Sequence, residues 1–293
     1  MTQSDPLVSI VVATFNSSST IIETLDSIAA QTYRNIELIV TDDCSKDNTV
    51  EKVQKWDIQN RNIFVDCKII THPINTGVSP NFNRGVLASS GIWVKTIAGD
   101  DTFRPDAIQK YVEYVLSHNS IMCVCDLNLF SEVDVPQRLR NFYKSYIEMI
   151  DVPQEEQYRD VLSYQHFAGP GYFYLRKVYD EIGGFDERYF MHFEDIDITR
   201  RIGNISRTVY FPNATIIHAH EAAHKTSKKM LLIGLKSAVK YFNKWGWIFD
   251  KERSKRNKKA LKLLSYLTKF GVKHNIESTP FFTIVIRKKL APF

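Results

Sequence analysis

Cysteine and long apolar runs are both scarce in this sequence. The four cysteines do not follow the paired spacing of zinc ligands, which predicts free thiols in a reducing compartment, with a structural disulfide as the alternative. No apolar stretch reaches the roughly 18 residues that a membrane-spanning helix requires. The first residues, MTQSDPLVSIVV, lack the basic start of a secretion signal. We therefore expect a cytoplasmic protein.

Acidic side chains are scarce near the C-terminus. From Lys225 to Phe293 there are 18 Lys and Arg against three Asp and Glu, whereas the first 224 residues carry 20 basic and 30 acidic side chains. Such a basic tail indicates contact with a polyanion, either a nucleic acid or an anionic membrane. The tail is amphipathic and contains Trp245 and Trp247, and no nucleic-acid motif accompanies it. We expect an anionic membrane surface as partner and no nucleic acid; a solvated helical appendage is the alternative.

Strand and helix signals alternate over the first 120 residues. Apolar runs predict strands at Leu7–Phe15, Asn35–Thr41 and Gly91–Ala98, with another inside NIFVDCKIITH. Helical spacing follows each strand, and Thr20 with Glu23 has the pattern of a capping box. This alternation predicts right-handed βαβ crossovers. We predict an α/β fold with a mostly parallel, Rossmann-like central sheet flanked by helices, and a C-terminal basic helical extension.

Polar loops follow three of the predicted strands. They are Asn16–Ser19, Asp42–Ser45 and Gly99–Thr102, and the last two each contain a pair of adjacent aspartates. In parallel α/β sheets, ligands bind beyond the carboxyl ends of the strands. Because these loops are expected at one edge of the sheet, they predict a nucleotide or metal site there. A solvated turn before a helix is the alternative for the second aspartate pair, Asp100 and Asp101.

Four motifs occur in an order and at intervals that are typical of one family: VSIVVATFN, LIVTDDCSKDNT, NTGVSPNFNRGVLASSGIWVKTIAGDD and GGFDERYFMHFEDIDITRR. Together they resemble the inverting family 2 glycosyltransferases, which have the A-type nucleotide-diphospho-sugar fold. The resemblance covers roughly residues 7–220 and leaves out the basic tail. It implies an inverting, metal-dependent enzyme that transfers a sugar from a nucleoside-diphosphate sugar to a hydroxyl of a glycan or lipid-linked glycan, in bacterial surface polysaccharide synthesis.

Two other classes of protein compete with this interpretation. A sugar-nucleotide pyrophosphorylase needs a glycine-rich loop after the first strand, and the segment ATFNSSST contains no glycine. A catalytically inactive module that binds a sugar nucleotide or a glycan is the second alternative. The presence of the candidate carboxylates for metal binding and for catalysis argues against it.

The resemblance also implies roles for individual residues at the nucleotide. In the family, the aspartate that Asp43 matches accepts a hydrogen bond from the nucleobase N3–H, which both uracil and thymine carry. A UDP-sugar is favoured and a dTDP-sugar is the alternative. The alternative for Asp43 is an Asx turn that ends the second strand, although this role fits Asp42 better. The alternative for Arg84 is a surface position on its helix. The nucleotide-binding residues implied are Thr14, Phe15, Asn16, Asp43, Arg84 and Asp100.

A divalent cation is expected at the second aspartate pair. A metal ion stabilises a leaving diphosphate, and Mn²⁺ or Mg²⁺ needs only one or two carboxylates besides phosphate and water. By resemblance Asp101 is the metal ligand, and Asp100 faces the ribose or the surroundings of the ion. Related enzymes place a late histidine near the metal, a role assigned here to His220, with His218 as the alternative.

The carboxylates of the segment FEDIDITRR are the candidate catalytic groups. Inversion is a direct displacement, so the incoming hydroxyl has to lose a proton, and a carboxylate serves as base. By resemblance Asp195 is the general base and Glu194 positions the acceptor. Asp197 points away from Asp195 on a helix. The alternative is that all three acidic residues only stabilise the helix N-terminus.

The domain organisation follows from these assignments. We expect a catalytic domain over residues 1–222, with a nucleotide-binding half at 1–120 and an acceptor-binding half at 121–222. Residues 223–293 form the basic, amphipathic tail. The tail predicts peripheral attachment of the cytoplasmic protein to the inner face of the cell membrane.

Overall fold

The computed structural model of this protein describes residues 5–130, 172–205, 209–219 and 228–246. Its strands are β1 (Val8–Thr14), β2 (Ile36–Asp42), β3 (Asp66–Thr71), β4 (Trp93–Ala98), β5 (Asp101–Phe103), β6 (Met122–Phe130), β7 (Tyr172–Leu175) and β8 (Val209–Ala219). Its helices are α1 (Ile21–Ala29), α2 (Thr49–Asn60), α3 (Val78–Leu87), α4 (Ala107–Ser117), α5 (Arg176–Glu181), α6 (Glu194–Gly203) and α7 (Lys228–Trp245).

These strands form one eight-stranded sheet in the order β3-β2-β1-β4-β7-β6-β8-β5. The pairs β3–β2, β2–β1 and β1–β4 are parallel, as expected for strands that helices connect. Beyond β4 the pairing is mixed, because β7 runs antiparallel to β4 and to β6, while β6 and β8 are parallel. The predicted α/β fold with a mostly parallel central sheet flanked by helices is confirmed.

Strand β1 contributes side chains to the hydrophobic cores on both faces of the sheet. Ile10 and Val12 belong to the core that α1 and α4 cover, whereas Val11 packs with Phe82 and Val86 of α3 in the other core. All five side chains are buried. Burial on both faces explains why β1 reads as an uninterrupted apolar run rather than as an alternating pattern.

The segment after β4 is not a simple turn before a helix. Residues Asp101–Phe103 form β5, which pairs antiparallel with β8, so that Asp101 lies opposite His218 in register. The capping box expected for α1 does not form, since Thr20 makes no side-chain cap hydrogen bond. The Thr20 hydroxyl donates to the Gly99 carbonyl oxygen over 2.7 Å. The turn between β4 and β5 is thereby held against the start of α1.

The chain divides into two compact units, Met1–Asp250 and Lys251–Phe293, of which the second lies outside the described residues. Helix α7 belongs to the first unit, although the sequence assigned it to the tail. The boundary expected near residue 222 stays a prediction. Within the described ranges, no helix is long and apolar enough to cross a membrane. Cys44 and Cys67 carry free thiols, as expected.

Candidate active site

Asp42 closes the loop that follows β2. Its carboxylate accepts hydrogen bonds from the Thr14 hydroxyl (2.9 Å) and the Ser45 backbone N–H (2.8 Å). Asn16 completes the connection: its backbone N–H donates to Ser45 Oγ over 2.8 Å, and its Oδ1 accepts from the Lys46 N–H over 2.8 Å. Asn16 has a φ of 53°, a left-handed value that asparagine tolerates. The loops after β1 and β2 are therefore fixed to each other.

Asp43 is buried and hydrogen-bonded on both carboxylate oxygens. Oδ2 accepts from the backbone N–H groups of Thr76 (2.8 Å) and Gly77 (2.7 Å), and Oδ1 accepts from the Thr76 hydroxyl (2.8 Å). Arg84 Nη2 forms an ion pair with Oδ1 at 2.6 Å. These four donors match the roughly four acceptor positions of a carboxylate. A nucleobase N–H can therefore reach Asp43 only if it replaces one of them.

Asn81 connects this cluster to the ends of β1 and β2. Its Nδ2 donates to the backbone oxygens of Thr14 (3.3 Å) and Thr41 (3.1 Å), and its Oδ1 accepts from the Thr41 hydroxyl (2.7 Å). The same oxygen accepts from Arg84 Nη2 over 3.1 Å. Arg84 thus lies against the strand ends and not on the open surface of α3, and its approach to base or phosphates stays a prediction.

The aspartate pair between β4 and β5 lies beside the end of β1. A Cβ placed on Gly99 would be 2.9 Å from Thr14 Cγ2, which shows how closely the turn approaches that strand. Asp101 is buried and its Oδ2 accepts a long hydrogen bond of 3.4 Å from the Ala98 N–H, whereas Asp100 is half-buried. Both carboxylates belong to the sheet edge that carries the loops of β1 and β2.

The start of α3 also contacts the segment that leads into α6. The Val78 N–H donates to the Phe190 carbonyl oxygen over 2.7 Å. A Cβ on Gly77 would lie 2.4 Å from the same oxygen, and Gly77 has a φ of 97°. Glycine fits this position because it has no Cβ and adopts positive φ without strain. The loop that holds Asp43 is thereby brought against the chain that carries Glu194.

Glu194 and Asp195 are the first residues of α6, and both carboxyl groups have raised pKa values. Burial raises the pKa of both, and the negative charge of Asp195 raises the pKa of Glu194 further. Burial, and then the charges of Asp195 and Glu194, raise the pKa of the Tyr172 phenol in β7, which places that ring near them. Within the described part of the chain, Oε2 of Glu194 is buried without a hydrogen-bond partner. Carboxyls in this state can take up and release protons near neutral pH.

The backbone that enters α6 is strained. His192 and Phe193 have φ values of 69° and 70°, in the left-handed region that non-glycine residues rarely adopt. Each such residue costs on the order of 1–3 kcal/mol and persists only where its surroundings hold it. The Phe193 ring packs on Tyr241 of α7, with ring centroids 5.3 Å apart. Strain of this kind clusters at functional sites.

The described residues offer a metal ion oxygen ligands but not a complete protein cage. No group of three or more His, Cys, Asp or Glu side chains is gathered among them. Asp100 and Asp101 supply hard carboxylate oxygens at the sheet edge, and the backbone position opposite Asp101 is His218. Mg²⁺ or Mn²⁺ fits this donor set when diphosphate oxygens and water complete its coordination. His220 lies outside the described residues.

Direct contacts thus connect most of the residues that the sequence predicted for the nucleotide. Thr14, Asn16, Asp43 and Arg84 lie in one hydrogen-bonded cluster with Asp42, and the Phe15 ring beside it is 46% exposed. Sequence reasoning did not single out three residues that hold this arrangement: Thr76, Gly77 and Asn81. A signal existed for two of them, because Thr-Gly directly before a helix is typical of a tight helix start.

An α/β sheet with acidic loops at its carboxyl edge fits the class of enzymes that bind a ligand at the carboxyl ends of their strands. Residues 9–183 match the model of glycosyl transferase family 2. Because this match covers more than half of the chain, the protein belongs to that family. The match ends before Glu194 and Asp195.

Curated relatives agree with this assignment over part of their length. The succinoglycan biosynthesis protein ExoO of Rhizobium meliloti is 33% identical over 127 residues, which is 43% of this chain and 34% of that protein. The chain thus spans about a third of the length of the first curated relatives that it matches.

Solved structures extend the likeness in fold to nearly the whole chain. Residues 1–349 of TarS from S. aureus, in complex with UDP-GlcNAc, superpose with a TM-score of 0.61 at 19% identity, over 90% of this chain and 73% of that one. The mannosyltransferase PcManGT from Pyrobaculum calidifontis, with GDP-Man and Mn²⁺, gives a TM-score of 0.63 at 17% identity, over 98% and 80%. At these identities the comparison shows the fold.

Proposed function

We propose that this protein is an inverting, metal-dependent glycosyltransferase. It transfers a sugar from a nucleoside-diphosphate sugar to a hydroxyl of a glycan or lipid-linked glycan in bacterial surface polysaccharide synthesis. The observation that carries the proposal is the carboxyl pair Glu194–Asp195, which has raised pKa values. The pair follows the segment whose Phe190 carbonyl oxygen accepts a hydrogen bond from Val78, at the start of α3. The similar proteins support the same function: ExoO is a succinoglycan biosynthesis protein, and two of the similar structures hold nucleotide sugars.

In this mechanism Asp195 is the general base. The acceptor oxygen attacks the anomeric carbon from the side opposite the diphosphate, the bond from that carbon to the diphosphate oxygen breaks, and the acceptor proton moves to Asp195. A pKa that burial has raised makes this carboxylate a stronger base at neutral pH. Glu194, whose pKa is raised by burial and by Asp195, keeps a proton with which it donates a hydrogen bond to the acceptor.

The donor side supplies binding and charge. Thr14, Asn16 and the ring of Phe15 border the base, and the N3–H of a uracil or a thymine replaces one donor on Asp43. A UDP-sugar is the favoured donor and a dTDP-sugar is the alternative. Asp101 holds Mn²⁺ or Mg²⁺, with Asp100 near the ribose. When bound, the ion supplies positive charge that stabilises the leaving diphosphate. The Mn²⁺ in PcManGT supports this expectation.

A panel of donors tests the proposal directly. UDP-GlcNAc, UDP-glucose, dTDP-glucose and GDP-mannose are each added with and without Mn²⁺, and the melting temperature is measured. A uridine donor at about 100 times its Kd stabilises the fold by about 2.7 kcal/mol, which corresponds to a shift of about 5 °C. We expect this shift to require Mn²⁺ and to be lost in Asp101→Asn. Equal stabilisation without the metal contradicts the role of Asp101, and no shift with any donor contradicts the proposed function.

The membrane is the second partner that we propose, and helix α7 supports it. Leu232, Leu235 and Val239 are exposed along one stripe of α7, each at least 45% accessible, and Lys236 and Lys240 lie on the same exposed face. An apolar stripe with flanking lysines suits the surface of an anionic bilayer. This surface would hold the protein at the inner face of the cell membrane, near a lipid-linked acceptor.

Vesicle flotation tests the membrane partner with the full chain. We expect co-flotation with vesicles that contain phosphatidylglycerol, weaker binding at high salt, and a loss of about tenfold in Leu232→Gln/Leu235→Gln. Ile58→Gln is the matched control, because Ile58 is 78% exposed on α2. Equal recovery of the double variant and the control on these vesicles rules out the stripe as the binding surface.

A further inference from the structure

One lysine of α7 connects the two ends of the segment that carries the proposed catalytic carboxyls. Lys244 Nζ lies 2.8 Å from Asp186 Oδ2 and 2.8 Å from Asp197 Oδ1. The Trp245 indole N–H donates to the same Asp197 oxygen over 2.8 Å. Asp186 precedes the strained backbone and Asp197 follows Asp195. One ammonium group therefore pairs with a carboxylate before the strained residues and with another after them.

Preceding turns of α7 contact the same segment. The Ser237 hydroxyl donates to the Met191 carbonyl oxygen over 2.7 Å, and the Tyr241 ring packs on Phe193. Positions 237, 241 and 244 share one face of a helix, because they are four and three residues apart. Both Ser237 and Tyr241 are buried. Helix α7 therefore supports the segment along its length and not at a single point.

The charges in this cluster depend on one another. Asp197 is fully buried, and besides Lys244 it accepts a hydrogen bond from Arg201 Nε over 2.8 Å. Arg188 and then Lys244 hold the pKa of Asp186 well below its usual range, so that this carboxylate is ionised. Removing the ammonium group leaves two carboxylates without one of their cations, which is unfavourable for buried charges. The strained residues between them then lose a restraint.

We propose that Lys244 is a positioning residue for the transfer reaction. It acts through Asp186 and Asp197, which fix the start of α6 and with it the direction of the Asp195 carboxylate. A general base has to lie within hydrogen-bond reach of the proton that it accepts, and a displacement of about 1 Å can cost about 100-fold in rate. The inference rests on the proposed function, because it requires Asp195 to be the base.

Kinetics with the full chain separate positioning from stability. The variants are Lys244→Met, which keeps the apolar stem, and Lys244→Arg, which keeps the charge. UDP-GlcNAc, UDP-glucose, dTDP-glucose and GDP-mannose are assayed with Mn²⁺ for release of the nucleoside diphosphate, water serving as the acceptor hydroxyl. We expect Lys244→Met to lower kcat by about 30-fold while the KM for the donor changes by less than about twofold. Lys244→Arg should recover kcat to within about threefold of the wild type.

Hydrogen exchange supplies the structural readout and a surface variant supplies the control. We expect the amides of residues 188–197 to exchange faster in Lys244→Met and to be protected in Lys244→Arg. Lys55→Met removes an exposed lysine that pairs with Glu51 on α2, and it should change neither kcat nor exchange in this segment. If Lys244→Met does not fold, Trp245→Phe replaces it, because that change removes the hydrogen bond to Asp197 and keeps an aromatic ring beside Arg200 and Tyr241. We then expect a fall in kcat of about threefold.

The remaining outcomes decide against the inference. A folded Lys244→Met, or a folded Trp245→Phe in its place, with the kcat of the wild type overturns it, even if exchange is faster, because the contact is then only structural. Asp195→Asn distinguishes a failure of the proposed function from a failure of the inference about Lys244. If Asp195→Asn keeps full activity, or no donor is turned over, the proposed function fails and the inference with it. If Asp195→Asn is inactive and the α7 variants are normal, the inference alone fails.

Discussion

The carboxylates of the donor side, Asp42 and Asp43, and those at the start of α6, Glu194 and Asp195, lie in opposite environments. Asp43 accepts four hydrogen bonds, and Asp42 accepts hydrogen bonds from Thr14 and Ser45. At the start of α6, by contrast, Glu194 has a buried carboxyl oxygen without a partner among the described residues, and the pKa values of Glu194 and Asp195 are raised by burial. One side is saturated with hydrogen bonds, and the other holds its carboxyls ready to exchange protons.

This difference matches the two tasks of a transferase. A binding surface gains from groups that are fixed before the ligand arrives, because less entropy is lost on binding. A general base gains from a carboxylate that its surroundings do not stabilise as an anion, because stabilisation weakens the base. Variants that remove a hydrogen-bonded carboxylate from the donor side, or a carboxyl group from the start of α6, test this difference.

Asp195→Asn removes the proposed base and should have the largest effect. We expect kcat for transfer to fall by about 10²–10⁴-fold, because general base catalysis contributes about that much. Donor binding should stay unchanged. Steady-state release of the nucleoside diphosphate from the donor panel measures the effect, with Asp180→Asn on α5 as an exposed control. Turnover that survives Asp195→Asn would falsify the catalytic assignment and favour the inactive binding module.

Asp43→Ala removes the acceptor at the centre of the donor side. The Arg84 guanidinium and the N–H groups of Thr76 and Gly77 each lose the Asp43 carboxylate as an acceptor, and breaking a buried ion pair from one side costs about 4 kcal/mol. Urea unfolding measures the loss. Asp66→Ala, which removes an exposed ion pair with Lys68, should cost less than about 0.5 kcal/mol. Similar losses for both variants contradict a saturated donor side.

Gly77→Ala tests the contact between the two sides. The added Cβ meets the Phe190 carbonyl oxygen at 2.4 Å, and the φ of 97° strains any other residue, so we expect a loss of about 3 kcal/mol. Gly183→Ala is the matched control, because Gly183 also has a positive φ of 75° but nothing lies within 4 Å of its Cβ position. We expect it to lose about 1 kcal/mol in the same unfolding experiment. Equal losses show that the steric contact with Phe190 is unimportant.

The α6 pair should make stability fall as pH rises. In the unfolded chain both carboxyls release their protons in the usual acidic range, whereas the folded pair keeps its protons to higher pH because burial raises both pKa values. The folded state then binds more protons, and the free energy of unfolding falls by about 1.4 kcal/mol for each pH unit and each proton kept. Glu194→Gln/Asp195→Asn should therefore be more stable than the wild type at pH 8, and this difference should vanish near pH 4. A difference that is constant over that range contradicts the raised pKa values.

The sequence predicted the parallel half of the fold well, for a physical reason. Strands such as β1 are buried on both faces, so that their apolar runs and the helices between them can be read locally. Strand β5 could not be predicted in this way, because its three residues form a strand only through their pairing with β8, more than 100 residues away. The Thr20 hydroxyl was misread for a similar reason, since it bonds Gly99 and not its own helix.

The candidate site could be predicted as a set of residues but not as an arrangement. The motifs indicated Asp43 and Arg84 separately as nucleotide-binding residues, and the structure joins them in an ion pair at 2.6 Å. The support of Asp197 by Lys244 depends on the packing of α7 on α6, and no motif encodes a contact between residues 47 positions apart. The raised pKa values of Glu194 and Asp195 likewise follow from burial, which the residue types do not reveal.

The hydrogen bond from Val78 to Phe190 limits where this protein can be joined to a relative in a chimaera. The family match ends at residue 183, which looks like a natural place to exchange one catalytic half for that of a relative. A junction there would take Gly77 from one parent and the segment around Phe190 from the other, although a Cβ added at Gly77 would lie 2.4 Å from the Phe190 carbonyl oxygen. Chimaeras of this protein should therefore take the start of α3 and the entrance to α6 from the same parent.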